Sequence, residues 1–156
     1  MSFEIRILGP GDDAVLARVA PEVFDHPIDP ALTAEFLADP RHHLAVAIDR
    51  GTVVGFASGV HYLHPDKPAE LFVNEVGVAP THRGQGVGKA VVHALLVAGR
   101  QAGCATAWVL TDEGNPPALG LYRNAGGRRS KVPQVRFEFD LDDVARPGSL
   151  KRISLA

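Results

Sequence analysis

The segment EVGVAPTHRGQGVGK, residues 75–89, constrains the fold of this chain more than any other feature. An apolar strand pattern runs into a loop with three glycines, and the loop leads directly into AVVHALL, where apolar residues recur at helical spacing. The first amide groups of a helix lack internal partners, and the helix dipole adds partial positive charge there. Because glycines carry no Cβ, a ligand can approach that backbone closely. The segment therefore predicts a site for a phosphate or pyrophosphate group.

The spacing of the loop residues distinguishes three kinds of phosphate-binding loop. A P-loop needs Ser or Thr directly after its lysine, but Lys89 is followed by alanine, and a single residue separates Gly86 from Gly88. A dinucleotide-binding fingerprint needs G-x-G-x-x-G; Gly84 and Gly86 fit it, but its third glycine position holds Lys89. The pattern R-x-x-G-x-G, by contrast, is matched by Arg83, Gly86 and Gly88. A glycine-rich turn that binds nothing is the alternative.

The length and charge of the chain set wider bounds. Its 156 residues, 46% hydrophobic and 22% charged, predict one globular domain over residues 1–141 and a C-terminal tail over residues 142–156. The formal net charge of −2 gives no bias towards nucleic acid or an anionic membrane. The single cysteine, Cys104, excludes an intrachain disulfide, and the seven histidines show no ligand spacing, so we expect no metal. Without a signal-peptide pattern or a membrane-spanning apolar run, we expect a cytoplasmic protein.

Hydrophobic periodicity and turn residues predict the order strand, two helices, three strands, helix, strand, helix, strand. We therefore expect an α/β (α+β) domain, in which helices flank a mixed, mostly antiparallel sheet. The predicted strands are residues 3–8, 44–49, 52–62, 71–78, 105–111 and 135–141, with a tight turn at residues 50–51. The predicted helices run from residue 12 or 13 to about 24, from 29–30 to 40, from the glycine loop to about 102, and from 116 to about 124.

A second motif follows the fifth predicted strand. Residues 115–126, NPPALGLYRNAG, match the pattern N-x-x-A-x-x-L-Y-x-x-x-G. Together with R-x-x-G-x-G and the order of elements, this motif resembles the GCN5-related N-acetyltransferases over nearly the whole chain. The resemblance implies an acetyl-CoA N-acyltransferase-like fold and acetyl-CoA as cosubstrate. That family usually has Phe after the last glycine of the motif, whereas this chain has Gly127, which alters the packing expected there.

The resemblance also implies which residues carry the chemistry. An alkyl amine is mostly protonated at neutral pH and must lose a proton before it attacks a thioester. Glu75 is the candidate base, acting directly or through a water, and Tyr122 is the candidate acid for the departing thiolate. The alternatives are a surface carboxylate and a core tyrosine. The candidate cofactor-binding residues are Val76, Gly77 and Val78 beside the pantetheine arm, Arg83, Gly84, Gln85, Gly86, Val87, Gly88 and Lys89 around the pyrophosphate, and Asn115.

Three acidic residues are candidates for binding the acceptor. By the same resemblance, the loop that holds Asp25 overhangs the acceptor site, and Asp112 and Glu113 follow the fifth strand where the amine would arrive. Acidic side chains there attract a cation. Helix capping and a solvated turn are the alternatives for these residues.

The nature of the acceptor is less constrained. Residues 72–78, 82–86, 112–122 and 137–141 also resemble the aminoglycoside 3-N-acetyltransferases, so we expect a small-molecule amine, with an aminoglycoside-like cation as the leading hypothesis. Another small amine or a protein amino group fits as well. A non-catalytic acetyl-CoA sensor stays open, although a pure binder needs neither Glu75 nor Tyr122. We expect no nucleic-acid or membrane partner, and a homodimer is an open alternative.

Overall fold

The computed structural model describes residues 2–144. A five-stranded sheet in the order β1-β2-β3-β4-β5 forms the centre of this part of the chain. Neighbouring strands are antiparallel except β4 and β5, which are parallel. This confirms the predicted mixed, mostly antiparallel α/β fold. The strands are β1 (Glu4–Leu8), β2 (His42–Asp49), β3 (Thr52–Tyr62), β4 (Glu70–Val78) and β5 (Thr106–Trp108).

Helices cover both faces of the sheet. They are α1 (Pro30–Ala38), α2 (Val87–Gln101) and α3 (Pro116–Asn124). Asp29 caps α1, as predicted, because its Oδ1 accepts hydrogen bonds from the amides of Ala31 (2.8 Å) and Leu32 (3.1 Å). None of the helices in the described part of the chain has the length and hydrophobicity that crossing a bilayer requires.

The core lies on the face of the sheet that α2 covers. Leu95 of α2 and Leu71 of β4 are both fully buried, and a Cβ on Gly59 would lie 3.2–3.3 Å from atoms of both side chains. Side chains alternate along a strand, so Phe56 points to the opposite face. There its ring stacks on that of Phe24 at a centroid distance of 3.9 Å. The segment around Phe24 therefore closes the face that carries the site described below.

The predicted first helix is wrong beyond its start. A 3₁₀ helix covers Asp13–Ala17, and the chain then becomes extended beside β3. The amide of Val53 donates to the Arg18 carbonyl (2.8 Å), and the amide of Ala20 donates to the Val53 carbonyl (2.9 Å). Pro21 also disfavours helical backbone at the residue before it. Pairing with the sheet thus replaces helix through this segment.

The predicted strand over residues 135–141 is also wrong. Within residues 2–144 this segment has no ladder partner, and Phe137 and Phe139 are 79% and 80% exposed. Its alternation of apolar and charged residues specifies two faces, but a strand also needs a neighbour that takes its hydrogen bonds. The predicted strand over residues 105–111 is shortened to β5. Of the predicted tail, residues 145–156 lie outside the described residues.

Candidate active site

The strands β4 and β5 separate after a short pairing. Glu70, Leu71 and Phe72 pair with residues 106–108, and no pairing continues beyond Phe72 within residues 2–144. The edge of β4 that faces away from β3 is therefore unpaired over residues 73–78. Peptide groups on such an edge are available for hydrogen bonds with an extended ligand.

A β-bulge lies in β4 beside the candidate base. Ser58 of β3 is opposite Glu75, whereas its neighbour Gly59 is opposite Val73, so Asn74 is an extra residue in β4. Bulges re-aim nearby side chains and are frequent next to active sites. The bulge in β4 thus lies at Asn74, directly before Glu75.

Gly77 has a different role, because it allows another segment to cross β4. A Cβ at this position would collide with the carbonyl oxygen of Val23 and lie 2.7 Å from Cε1 of Phe56. Residues 19–28 can therefore lie directly on the sheet here. This crossing brings Asp25 to the pocket beside Glu75.

A pocket of about 530 Å³ lies between residues 24–29, α1 and the sheet. Glu75 and Asp25 both line it, are exposed, and form no ion pair among residues 2–144. Asp29 lines it too, but its carboxylate is held by the first amides of α1. The structure therefore brings together two of the predicted acidic side chains, in a space of the size typical for small-molecule sites.

The other two acidic candidates lie elsewhere. Asp112 and Glu113 are exposed on the segment that follows β5, and neither lines this pocket. Glu113 forms an ion pair with Arg129. Three residues separate Trp108, the end of β5, from Asp112, whereas the predicted strand over residues 105–111 would end directly before Asp112.

The glycine loop has left-handed backbone at two glycines directly before α2. Gly84 and Gly86 have φ of 73° and 82°, in the left-handed region, and a Cβ on either would meet no atom within 4 Å. The backbone there is open, and α2 begins at the next residue, Val87, without a side-chain cap. The Nε of Arg83 donates to the Val78 carbonyl at 3.2 Å, which ties the loop to the end of β4.

Two residues of the loop contribute packing as well as backbone. Val87 is 1% exposed and its Cγ1 lies against Gly55, where a Cβ would approach within 2.6 Å. A Cβ on Gly88 would lie 3.2 Å from Cδ1 of Leu121. The start of α2 and the helix α3 therefore approach each other closely, with Leu121 at the contact.

Tyr122 is half-buried on α3 and packs against the core. Burial raises the pKa of its phenol, so the hydroxyl stays protonated at neutral pH, as a proton donor requires.

Asn115 accepts a hydrogen bond from the Ala118 amide at 3.2 Å and so caps α3. The carboxamide oxygen of Asn115 is therefore committed to the helix. The amide of Gly127 donates to the Tyr122 carbonyl at 2.9 Å, and a Cβ on Gly127 would lie 2.9 Å from that oxygen.

The Acetyltransferase (GNAT) family matches residues 14–126. The chain belongs to this family. N-alpha-acetyltransferase RimI of Mycobacterium tuberculosis is 38% identical over 107 residues, which cover 69% of this chain and 65% of the relative. A mycothiol acetyltransferase of Pseudarthrobacter chlorophenolicus is 35% identical over 130 residues, which cover 78% of this chain and 40% of the relative. The chain thus spans less than two thirds of either relative.

The fold is also similar to that of a solved acetyltransferase structure. The crystal structure of an aminoglycoside acetyltransferase from an uncultured soil metagenomic sample superposes with a TM-score of 0.74, covering 90% of this chain and all of that one. The two sequences are 21% identical. The resemblance to GNAT proteins is therefore confirmed for family and fold, and the aminoglycoside 3-N subgroup stays a hypothesis.

Sequence reasoning missed part of the pocket of this GNAT domain. Ser58 is 6% exposed, lines the pocket and is opposite Glu75. A lone serine in the apolar run of β3 was the available signal, since alternation places it on the face of Phe56. His42 also lines the pocket, with its ring 4.9 Å from that of Phe36. Within residues 2–144, no three His, Cys, Asp or Glu side chains gather closely enough to hold a metal ion.

Proposed function

We propose that this chain is an acetyl-CoA-dependent N-acetyltransferase that acetylates a primary amine of a cationic small molecule. One observation carries the proposal. Glu75 lines a pocket, and the strand that bears it continues through an unpaired edge into an open glycine loop at the start of a helix. A base, a slot for an extended arm and a phosphate cradle therefore follow one another along residues 75–89.

The residues present fit acetyl-CoA. Residues 83–89 would hold the pyrophosphate through backbone amides, because Gly84 and Gly86 leave the backbone open there. Residues 76–78 would hydrogen-bond the pantetheine arm along the unpaired edge of β4. When bound, the cosubstrate supplies an acetyl group activated as a thioester.

The side chains of this domain then move protons. The carboxylate of Glu75 accepts a proton from the ammonium group of the acceptor, directly or through a water, and so makes the amine nucleophilic. The phenol of Tyr122 donates a proton to the departing sulfur. This phenol is protonated at neutral pH, because its ordinary pKa of 10.0 lies well above 7 and burial raises that pKa.

The charge of the pocket supports a cationic acceptor. Asp25, Asp29 and Glu75 line it, and its lining includes no Lys or Arg. Opposite charge in a cleft raises the local concentration of a cation. An aminoglycoside-like sugar is one such cation. A protein amino group is the second candidate, because the relative from Mycobacterium tuberculosis is named an N-alpha-acetyltransferase.

The test measures thiol release from acetyl-CoA with a panel of amines: polyamines, amino sugars including aminoglycosides, amino acids and a short peptide. Release with a small amine supports the proposal. Release with the peptide alone assigns the activity to a protein amino group. Binding of acetyl-CoA without release from any amine assigns the chain to the sensor class. The cytoplasmic location and the homodimer stay predictions.

A further inference from the structure

The pocket that Glu75 and Asp25 share has mostly apolar walls. Residues 24–28 and α1 form one side of it, and β2 and β3 form its floor. Besides the carboxylates, the lining also includes the polar side chains of His26, Thr33, His42, Ser58 and Asn74. The principal apolar lining residues are Phe24, Ile28, Leu32, Phe36, Phe56 and Val60.

Part of this apolar wall is exposed to water. Leu32 lines the pocket from α1 and is 65% exposed, whereas Phe24 and Phe36 are half-buried. Phe24 is held in place by its stacking on Phe56. An apolar ligand body would cover this surface, and the removal of apolar surface from water favours binding.

Three carboxylates line the pocket, and they differ in the partners they have. Asp25 and Glu75 form no ion pair within residues 2–144, while Asp29 is occupied by the amides of Ala31 and Leu32. The lining thus offers a negative end for one cationic group and an apolar wall beside it. A ligand with complementary chemistry has an ammonium head and an apolar body.

We infer that the acceptor is a primary amine borne on an apolar or aromatic body, an inference that rests on the proposed N-acetyltransferase function. The ammonium group lies between Asp25 and Glu75, and the body lies against Phe24, Leu32 and Phe36. A polyhydroxylated amino sugar fits this wall less well, because hydroxyls placed against Phe24, Leu32 and Phe36 would lose water without gaining hydrogen-bond partners from those side chains. The volume of about 530 Å³ suits a small molecule.

The experiment compares kcat/KM for four amines with the wild-type chain: 2-phenylethylamine and hexylamine as apolar amines, and spermidine and an aminoglycoside as polar cations. We expect the apolar amines to exceed the polar ones by about tenfold or more. A preference for spermidine or the aminoglycoside overturns this inference and leaves the N-acetyltransferase function standing. Absence of thiol release with every amine overturns the function itself.

A variant pair tests the apolar wall. Leu32→Ser removes an exposed side chain, so the fold should tolerate the substitution. We expect this variant to lower kcat/KM for 2-phenylethylamine about fivefold more than for spermidine. The matched control is Val97→Ser on α2, because Val97 is 41% exposed and does not line the pocket. Equal changes for both amines in Leu32→Ser, or the same selectivity change in Val97→Ser, overturn the assignment of the wall.

Discussion

The imidazole Nε2 of His82 lies 3.1 Å from the carboxylate Oδ2 of Asp49, and this contact ties the glycine loop to the β2–β3 hairpin. Both side chains are largely buried, with 13% and 19% exposed. The other imidazole nitrogen, Nδ1, lies 2.9 Å from the Thr81 hydroxyl oxygen. His82 is therefore held on both sides, one residue before the loop starts at Arg83. We therefore expect Asp49 to position the proposed phosphate-binding loop.

We predict that Asp49→Ala weakens acetyl-CoA binding without removing catalysis. Loss of one hydrogen bond to the loop should raise the KM for acetyl-CoA about fivefold, while kcat stays within about twofold. Steady-state kinetics measure both constants. The control is Asp39→Ala, which removes the contact of Asp39 with Arg41 outside the loop. A KM for acetyl-CoA that is equal in the two variants contradicts the positioning role.

We predict that Gly86→Val reduces acetyl-CoA affinity by well over tenfold, where tenfold corresponds to about 1.4 kcal/mol. A side chain would occupy the open space in front of the loop, and φ of 82° is strained for valine. Gly103→Val is the matched control, because Gly103 has φ of 90° and equally open surroundings in the turn after α2. Calorimetry should show near-normal affinity in the control. Unchanged affinity in a folded Gly86→Val protein would remove the site assignment.

We predict that Tyr122→Phe lowers kcat on the order of a hundredfold with little change in acetyl-CoA affinity. The reason is loss of the proton donor, whose pKa burial raises so that it stays protonated through neutral pH. The control is Tyr62→Phe, since the Tyr62 hydroxyl instead donates to Glu70 at 3.1 Å. Turnover close to normal in Tyr122→Phe would assign this residue to the core alone.

We predict distinct kinetic effects for three carboxylates. Glu75→Gln should lower kcat on the order of a hundredfold, most at lower pH, where less of the amine is neutral. Asp25→Asn should raise the KM for the amine more than Asp112→Asn does, because Asp25 lines the pocket and Asp112 does not. Steady-state kinetics at several pH values measure these effects. A larger KM effect at Asp112 would place the acceptor outside this pocket.

We predict an acid-sensitive contribution to stability from Glu70. Hydrogen bonds from His64 and Tyr62 to the carboxylate hold the pKa of Glu70 below its ordinary value of 4.5. A carboxyl group whose pKa is lowered by folding stabilises the folded protein at pH values above its pKa in the unfolded state. This stabilisation is lost as the pH falls through the pKa of the folded state. The midpoint temperature of thermal unfolding, Tm, should therefore fall more steeply between about pH 5 and about pH 3 in the wild type than in Glu70→Gln. The exposed Glu4→Gln serves as the control, and equal slopes in all three proteins contradict the prediction.

Local sequence patterns predicted the helices that begin at a recognisable capping residue. Asp29 with the following proline marked the start of α1, and the motif from Asn115 marked α3. The predicted helix to residue 24 was wrong because its polar backbone groups found partners on β3, which no local pattern encodes. The alternation in residues 135–141 likewise lacked the neighbouring strand that would complete it.

The candidate site shows the same difference between residues that local patterns indicate and residues that only long-range packing brings together. The roles of Glu75, the glycine loop and Tyr122 stay predictions, but these residues were identifiable as candidates because each lies in a contiguous motif with recognisable spacing. The apolar wall and Ser58 were not, because they belong to the pocket only through the crossing of residues 19–28 over β4.

The sequence by itself determined the GNAT family, the glycine loop before α2 and the starts of α1 and α3, since these depend on the identity and spacing of neighbouring residues. Only the tertiary structure decided that Asp25, and not Asp112, shares a pocket with Glu75, and that apolar side chains surround them. The physical reason lies at Gly77, where the absence of a Cβ allows the carbonyl of Val23 to lie on the sheet. That contact joins residues distant in the chain, and its effect on the pocket follows from packing rather than from any local pattern.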